Sequence, residues 1–522
     1  MTTAATGAGL ARSALTITAW NTVSRVTGFV RVLAVGAALG TTFLGNTYQS
    51  SNLVSNLLFE ILASGLLSAP LIPAFVGLLD QGRGDEADAL AGTLLGLVLL
   101  GLGAVAVAGM VGAHWVMRLL TVGVEDAGVR AAEVRLGAFF LWFFLPQLLL
   151  YAVGAVSSAL LNARRRFAAA AFAPVANNVV VTATMVAFLV LRGGARPGLH
   201  VPPGEKLLLA VGTTVGVLAM SAVPAVALWR AGHRLRPRIG MGNPHLRSVA
   251  RIGAWGAAML AAAQVLIGVT LVLANRVEGG VVAYTIAFTF FLLPHALIAH
   301  PLYTALYPRL SSHLHAGDGA AFAADVSAAV RWLALLLLPA SALLAALAGP
   351  ALRLVHVGAL DRGGAELVAR VLAAYAFGLF GYAVFQLLAR ASTAAGDARL
   401  PALVGCGTTA LGAVLMVAGS AVVDGADRVV VLGVAHSVAA TVGAGVLFVL
   451  LRRRVPSPMA VGGRVVRSLA GAGAAGSVAL MAVRLVPGSG RAGAAGALAA
   501  GAAAGVAVAV AAVGTPRSWE GA

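Results

Sequence analysis

The sequence predicts an all-α polytopic membrane protein of about 14 transmembrane helices. Three observations predict it. Of 522 residues, 60% are apolar and only 10% are Asp, Glu, Lys or Arg, whereas soluble globular chains are about a quarter charged. The mean hydropathy of +0.93 leaves too little polar surface to clothe a water-facing fold. The apolar residues also come in runs that do not alternate, such as Leu94-Leu95-Gly96-Leu97-Val98-Leu99-Leu100. A membrane β-barrel would show segments of roughly ten residues with alternating polarity. Disorder, a collagen repeat and a disulfide scaffold fall to the same composition, since Cys406 stands alone.

A helix crosses a hydrocarbon core of about 30 Å with roughly 20 residues. Apolar stretches of that length lie near 13–44, 47–79, 88–115, 133–161, 167–191, 206–230 and 248–275. They continue near 281–307, 327–350, 366–389, 400–423, 429–451, 465–487 and 492–514. Each ends at charges or at a Gly/Pro cluster: Arg164 to Arg166 close the fourth, Pro308 and Arg309 the eighth, Arg452 to Arg454 the twelfth.

The net charge of +18 would suggest nucleic acid in a soluble domain. Here the basic residues punctuate apolar runs, so they read as topology signals and no nucleic acid is expected. With the N-terminus inside, 21 Arg face the cytoplasm and 13 basic residues face the other side. Both termini are then cytoplasmic. The first apolar segment carries internal Arg and no convincing cleavage site, so it is expected to be retained. The Arg cluster at 230–238 is a positive-inside anchor beside anionic lipid heads.

An internal repeat organises the chain. Pro73 is followed nine residues later by Gly82, and Pro308 nine residues later by Gly317, an offset of 235 in both cases. Leu160 to Arg166 leading to Pro174 matches Leu387 to Arg390 leading through Gly396 and Arg399 to Pro401, at about 227. The expected organisation is a cytoplasmic tail over 1–12, an N-lobe of helices one to six over 13–235 and a C-lobe of helices seven to twelve over 236–455. Two further helices and a short cytoplasmic tail fill 456–522. An even number of spans per copy gives parallel repeats, an arrangement that transporters use around a central site.

The polar residues inside these spans are the candidate site. Arg25 lies near the middle of the first span, and Arg31 about 9 Å further along. A central Arg costs about 2.5 to 3.5 kcal/mol on insertion scales, so each should face a cavity or a partner. The two are roughly 120° apart on a regular helix, and Gly28 between them is a candidate hinge. Asn52, Asn56 and Glu60 recur every four residues in the second span, extended by Gln49 and Ser64. Two readings follow. Glu60 neutralises one Arg in a polar clasp between helices, or the guanidiniums bind phosphate oxygens of a diphosphate headgroup in a hydrated groove. Gln147, Asn177, Asn178, Gln264 and Gln386 read as interhelical hydrogen bonds. His295 and His300 are five apart, which does not put both on one helical face, so no metal is expected. No nucleophile elbow, Walker loop or zinc-protease motif is present, and no intramembrane carboxylate beyond Glu60 is evident, so an enzyme is the poorer class and no cofactor is expected.

The stretches SRVTGFVR at 24–31, NLLFEILASGLLSAPLIPAF at 56–75, LLNARRRFAAAAFAPVANN at 160–178 and ARASTAAGDARLPAL at 389–403 resemble the lipid II flippases. This is the MurJ/MviN family of the multidrug/oligosaccharidyl-lipid/polysaccharide (MOP) exporter superfamily, and the second-helix pair Phe59-Glu60 looks like its actinobacterial members. The resemblance implies two six-helix lobes in pseudo-twofold arrangement, alternating access, and delivery of lipid II to the outer leaflet of the cytoplasmic membrane for peptidoglycan synthesis. It places Arg25 and Arg31 on the family's two essential first-helix positions. Asn46, Glu60 and Thr289 depart from charged positions common in the family, which thins the cationic cavity. Expected partners are lipid II or a related polyprenyl-diphosphate lipid, membrane lipids and cell-wall synthesis enzymes. A flippase for another polyprenyl-linked saccharide, or a non-transporting scaffold for cell-wall synthesis, remains as the alternative.

Overall fold

In hydrocarbon no water is at hand for backbone N–H and C=O groups, so a spanning segment must satisfy them within itself. The computed structural model follows that rule: residues 2–67, 71–238, 244–454, 459, 462–486 and 490–513 are described, and nearly all are helical. The chain divides into two units, Met1–Gln264 and Val265–Ala522. The first holds α1 (Thr2–Leu39), α2 (Phe43–Leu67), α3 (Leu71–Asp80), α4 (Gly84–Val111) and α5 (Ala113–Leu120). It continues with α6 (Ala127–Phe144), α7 (Gln147–Ala163), α8 (Phe167–Leu191) and α9 (Pro203–Arg230). The helix α10 (Pro244–Ala274) runs over the boundary. The second unit holds α11 (Gly280–Pro294), a π-helical turn (His295–Ala299), α12 (His300–His315), α13 (Gly319–Val355) and α14 (Arg362–Ala376). It ends with α15 (Leu379–Ala394), α16 (Arg399–Val422), α17 (Asp427–Arg452), α18 (Gly462–Leu485) and α19 (Arg491–Val513).

Among the described residues, 11 helices are long and apolar enough to cross a membrane, and 12 if α14 and α15, bent by 47° at their junction, form one span. Two expected spans fall short of that test. The first half of α2 is polar, with Asn46, Thr47, Gln49, Ser50, Ser51 and Asn52, and in α10 the side chains are described only from Ala258, which leaves Ala258–Ala274 as the stretch tested. The chain is a multi-pass membrane protein whose α2 is hydrophilic in its first half. The expected tail at 1–12 begins α1 at Thr2, while 514–522 and the linker at 455–458 lie outside the described residues.

The turn before α4 and the turn before α13 are the same structure. Gly82 and Gly317 both have φ of 72°, a left-handed conformation that glycine adopts without steric cost. The Gly82 N–H donates to the Leu79 carbonyl at 3.0 Å and the Arg83 N–H to that of Leu78 at 2.9 Å; 235 residues on, Gly317 bonds to Leu314 at 3.1 Å and Asp318 to His313 at 2.9 Å. The other repeated turn aligns Arg165, φ 60°, with Gly396, φ 78°. Its bonds, Arg165 to Asn162 and Arg166 to Leu161 against Gly396 to Thr393 and Asp397 to Ser392, set an offset of 231 rather than about 227.

Within the first unit, α1 packs along α8 and α8 along α9, while α2 packs against α6 and α7 and only slightly against α1. The core where these meet holds Val35, Leu39, Leu44, Phe140, Phe144, Met185, Phe188 and Leu209. Tyr48 of α2 is edge-on to Phe140 and Phe144 at 5.8 Å each, and its hydroxyl bonds Thr213 of α9 at 2.7 Å. A buried phenol needs such a partner.

Candidate functional site

The helix α1 is anchored from one side. Trp20 meets Phe172 of α8 edge-on at 4.8 Å, and Asn178 of α8 donates from Nδ2 to the Ser24 carbonyl and the Thr27 hydroxyl, both at 3.1 Å. Gly28 lies beside that amide: a methyl group there would sit 3.4 Å from Nδ2. The helix runs unbroken through Gly28, so the angular separation of Arg25 and Arg31 expected for a regular helix holds. Arg25 is exposed and Arg31 half-buried.

Neither guanidinium forms an ion pair or a side-chain hydrogen bond among the described residues. Arg31 lies within electrostatic reach of the Tyr48 and Tyr151 hydroxyls. Tyr151 of α7 in turn packs on Phe59 of α2 at 5.2 Å. Arg31 therefore shares a neighbourhood with α2 through Tyr151. Arg25 makes no described contact with that helix.

On α2, Gln49 is buried, Asn52 and Asn56 are half-buried and Glu60 is exposed; the Ser64 side chain lies outside the described residues. Glu60 pairs with neither Arg25 nor Arg31 among the described residues, which removes the clasp reading for that carboxylate. The candidate site is a helix face with two cations that have no ion pair among the described residues and, on a neighbouring helix, a row of amides ending in an exposed carboxylate. Such a surface can offer guanidinium N–H groups to an anion and amides to a polar headgroup.

The solved structures fix the fold. A structure titled lipid II flippase MurJ, inward closed conformation, matches with a TM-score of 0.74 and 15% identity, over 94% of this chain and 97% of that one. An inward-facing multidrug resistance MATE transporter of the MOP superfamily matches with a TM-score of 0.68 and 14% identity, over 83% and 94%. The sequence supplies the rest: the family model described as lipid II flippase MurJ matches residues 35–499. This chain belongs to that family. Among curated MurJ relatives, the lipid II flippase MurJ of Burkholderia cenocepacia is 25% identical over 413 residues, 76% of each chain. The probable lipid II flippase MurJ of Rhizobium tropici is 26% identical over 436 residues, 83% of this chain and 79% of that one.

Set in a MurJ fold, the remaining polar residues sort by contact. Asn178 bridges α8 to α1, and Gln147 bridges α7 to α9 through Thr214 at 2.9 Å, as interhelical bonds should. Gln386 bonds only within its own helix, to Tyr382 at 3.3 Å, and the Asn177 Oδ1 is buried without a partner. His295 meets Tyr382 at a ring separation of 5.0 Å, while His300 is exposed. Sequence reasoning missed Tyr48 and Tyr151 because a single aromatic in an apolar run carries no periodic signal. It also missed a carboxylate. Because α6 begins at Ala127, Glu133 lies nearly two turns inside the helix and is fully buried, rather than at the mouth of the span.

Proposed function

We propose that this chain translocates lipid II, the undecaprenyl-diphosphate-linked peptidoglycan precursor, from the inner to the outer leaflet of the cytoplasmic membrane by alternating access. Membership of the MurJ family supports the substrate. The observation that supports the mechanism is the pair Arg25 and Arg31 on a membrane helix, with no ion pair among the described residues. Two uncompensated guanidiniums at that depth are costly unless they hold an anion for part of the cycle. A diphosphate matches their planar, multiply donating geometry. Asn52, Asn56 and Glu60 would meet the polar headgroup, the polyprenyl tail would stay in lipid, and Gly28 would let α1 flex as the site changes sides. The chain works as a transporter without catalysis, both termini are cytoplasmic, and its partners are the lipid and, downstream, the enzymes that consume it. Moving one charge across the membrane potential supplies about 2.3 kcal/mol per 100 mV, which with product consumption can drive the cycle.

Rescue of a flippase-depleted strain tests this. The chain is expected to restore lipid II on the outer face, and Arg25→Ala to abolish the rescue with the protein still present in the membrane. Rescue by the Arg25→Ala, Arg31→Ala double variant would mean a scaffold. Failure of the unaltered chain to expose lipid II would point to another polyprenyl-linked saccharide.

A further inference from the structure

The fully buried carboxylate of Glu133 is used by nothing in the lipid-binding scheme. It lies on α6 against α2, and its Oε2 atom has no hydrogen-bond partner. Its Oε1 atom is 3.1 Å from the Thr47 hydroxyl, which is also 2.8 Å from the Phe43 carbonyl. A hydroxyl has one hydrogen and two lone pairs, so it cannot donate to both.

Two arrangements therefore fit the same atoms. With Glu133 charged, the Thr47 O–H donates to Oε1, and the Phe43 carbonyl keeps only the backbone N–H of its own helical turn. With Glu133 neutral, its own O–H donates to Thr47, whose hydrogen turns to Phe43. No charged group steadies the ionised form. On α6, Arg130 and Arg135 are exposed, as are His114 and Arg118 of α5. On α9, Glu205 pairs with Arg192, Lys206 covers the Phe139 ring and Arg230 is exposed. Asp85 and Glu86 of α4 are in its first turn, and Asp88 pairs with Arg164 and His233. On α7, Tyr151 is turned to Phe59, while on α2 Tyr48 is bonded to Thr213 and Glu60 is exposed. Among the described residues no charged side chain acts on Glu133, and one hydroxyl is its only hydrogen-bond partner.

A row of hydroxyls lies on the same helix as Thr47. Thr47, Ser51 and Ser55 follow one another at single-turn spacing on α2 and are all buried. The Ser51 O–H donates to the Thr47 carbonyl at 2.8 Å, with the Gly137 carbonyl of α6 as its alternative acceptor at 3.4 Å, and the Ser55 hydroxyl has no partner among the described residues. This row of hydroxyls runs about 12 Å down the helix that carries Asn52, Asn56 and Glu60 on its less buried face.

We infer that Glu133 is a proton-exchange site, binding one proton when α2 and α6 are packed as seen here and releasing it when the hydroxyl row is wetted. The carboxylate takes up H⁺ to become a carboxyl, Thr47 reverses its hydrogen bond, and the charge inside the first unit changes by one. If the chain moves lipid as proposed above, that exchange couples a proton to the movement.

The site is tested without lipid by infrared difference spectroscopy of the purified full chain between acidic and alkaline pH. A buried carboxyl C=O band that titrates in the wild type and is missing from Glu133→Gln is expected. Thr47→Val keeps the carboxyl but removes the one donor to the charged form, so the band should persist to higher pH. That variant reads the site even if Glu133→Gln does not fold. No titrating band, or one unmoved by both variants, overturns the site. Coupling is read in proteoliposomes carrying lipid II under an imposed pH gradient: the gradient should change the flipping rate of the wild type and leave that of Glu133→Gln unchanged. A gradient response retained by Glu133→Gln overturns the coupling. A titrating band in a chain that flips no lipid II would sink the lipid reading and leave the proton site standing.

Discussion

The two units share a turn and differ in what they hang on it. At the offset of 235 that relates Gly82 to Gly317, Arg31, Asn52, Asn56 and Glu60 of the first unit stand where the second has Leu266, Ala287, Phe291 and His295. In the second unit two of those positions, Phe291 and His295, feed an aromatic cluster. Phe291 lies 5.8 Å from Tyr375 and 6.0 Å from His436, and His295 lies 5.0 Å from Tyr382. One copy keeps uncompensated charge and amides on its second and first helices, and the other fills the corresponding region with rings. The shared part is backbone: a left-handed glycine and two hydrogen bonds. The candidate residues fall in one unit only, so a repeat in the sequence predicts where helices start and not where a candidate site lies.

The largest expected effect comes from moving charge between the copies. Arg31→Leu should abolish rescue of the depleted strain at normal protein level. Adding Leu266→Arg should not bring it back, because the restored cation lacks Tyr48, Tyr151 and the α2 amides around it. Recovery of growth and of outer-face lipid II in that double variant would show that either copy can host the cation, and the contrast between the units would be wrong.

A smaller effect is expected in the second unit. His436 sits among Phe288, Phe291, Tyr375 and Tyr382, with ring separations of 5.2 to 6.0 Å, and its Nε2 atom is buried without a partner. Replacing an unmet polar atom by an apolar group removes its desolvation penalty, whereas losing the ring contacts costs about 0.5 to 1.5 kcal/mol. The two nearly cancel. His436→Leu should therefore shift stability by no more than about 1 kcal/mol, read as the thermal midpoint in detergent, and leave flipping intact. Lost flipping with an unchanged midpoint would give the aromatic cluster a part in transport.

The helical membrane class, the span positions and the glycine turns were legible because each depends on local composition or on a backbone conformation that few residues tolerate. The expected span at 47–79 is not matched by a helix that passes on hydropathy, because the first half of α2 is polar, and the same residues are what made the stripe legible. The site was legible in part. Arg25 and Arg31 stand out because charge in lipid is expensive wherever it occurs. Whether Glu60 meets either of them depends on which helix α1 lies against, and periodicity within one helix says nothing of that. The structure sets α1 on α8, with Glu60 in no pair with Arg25 or Arg31, and Asn178, grouped in the sequence with four other amides, is one of the residues that join α1 to α8. Glu133 was hidden by its position: six residues into α6, it reads as the edge of a span until the helix start is known.

The smallest change to make is at Gly28, whose counterpart at the same offset is Ala263. Gly28→Ala gives α1 the residue its repeat partner already has. The methyl group would rest at ordinary contact distance, 3.4 Å from the Asn178 amide, so no clash opposes it. Alanine favours a helix interior over glycine by about 0.5 to 1 kcal/mol, so the variant should fold as well as the wild type or slightly better. Its cost, if any, lies in motion. A helix that must flex between Arg25 and Arg31 to carry an anion from one side to the other would be stiffened at the one residue between them that lacks a side chain. Flipping in proteoliposomes should then slow by about 2- to 5-fold, the rate equivalent of the same 0.5 to 1 kcal/mol, while the thermal midpoint holds or rises. An unchanged rate would mean that α1 moves as a rigid rod, with Gly28 serving only to let α8 come close.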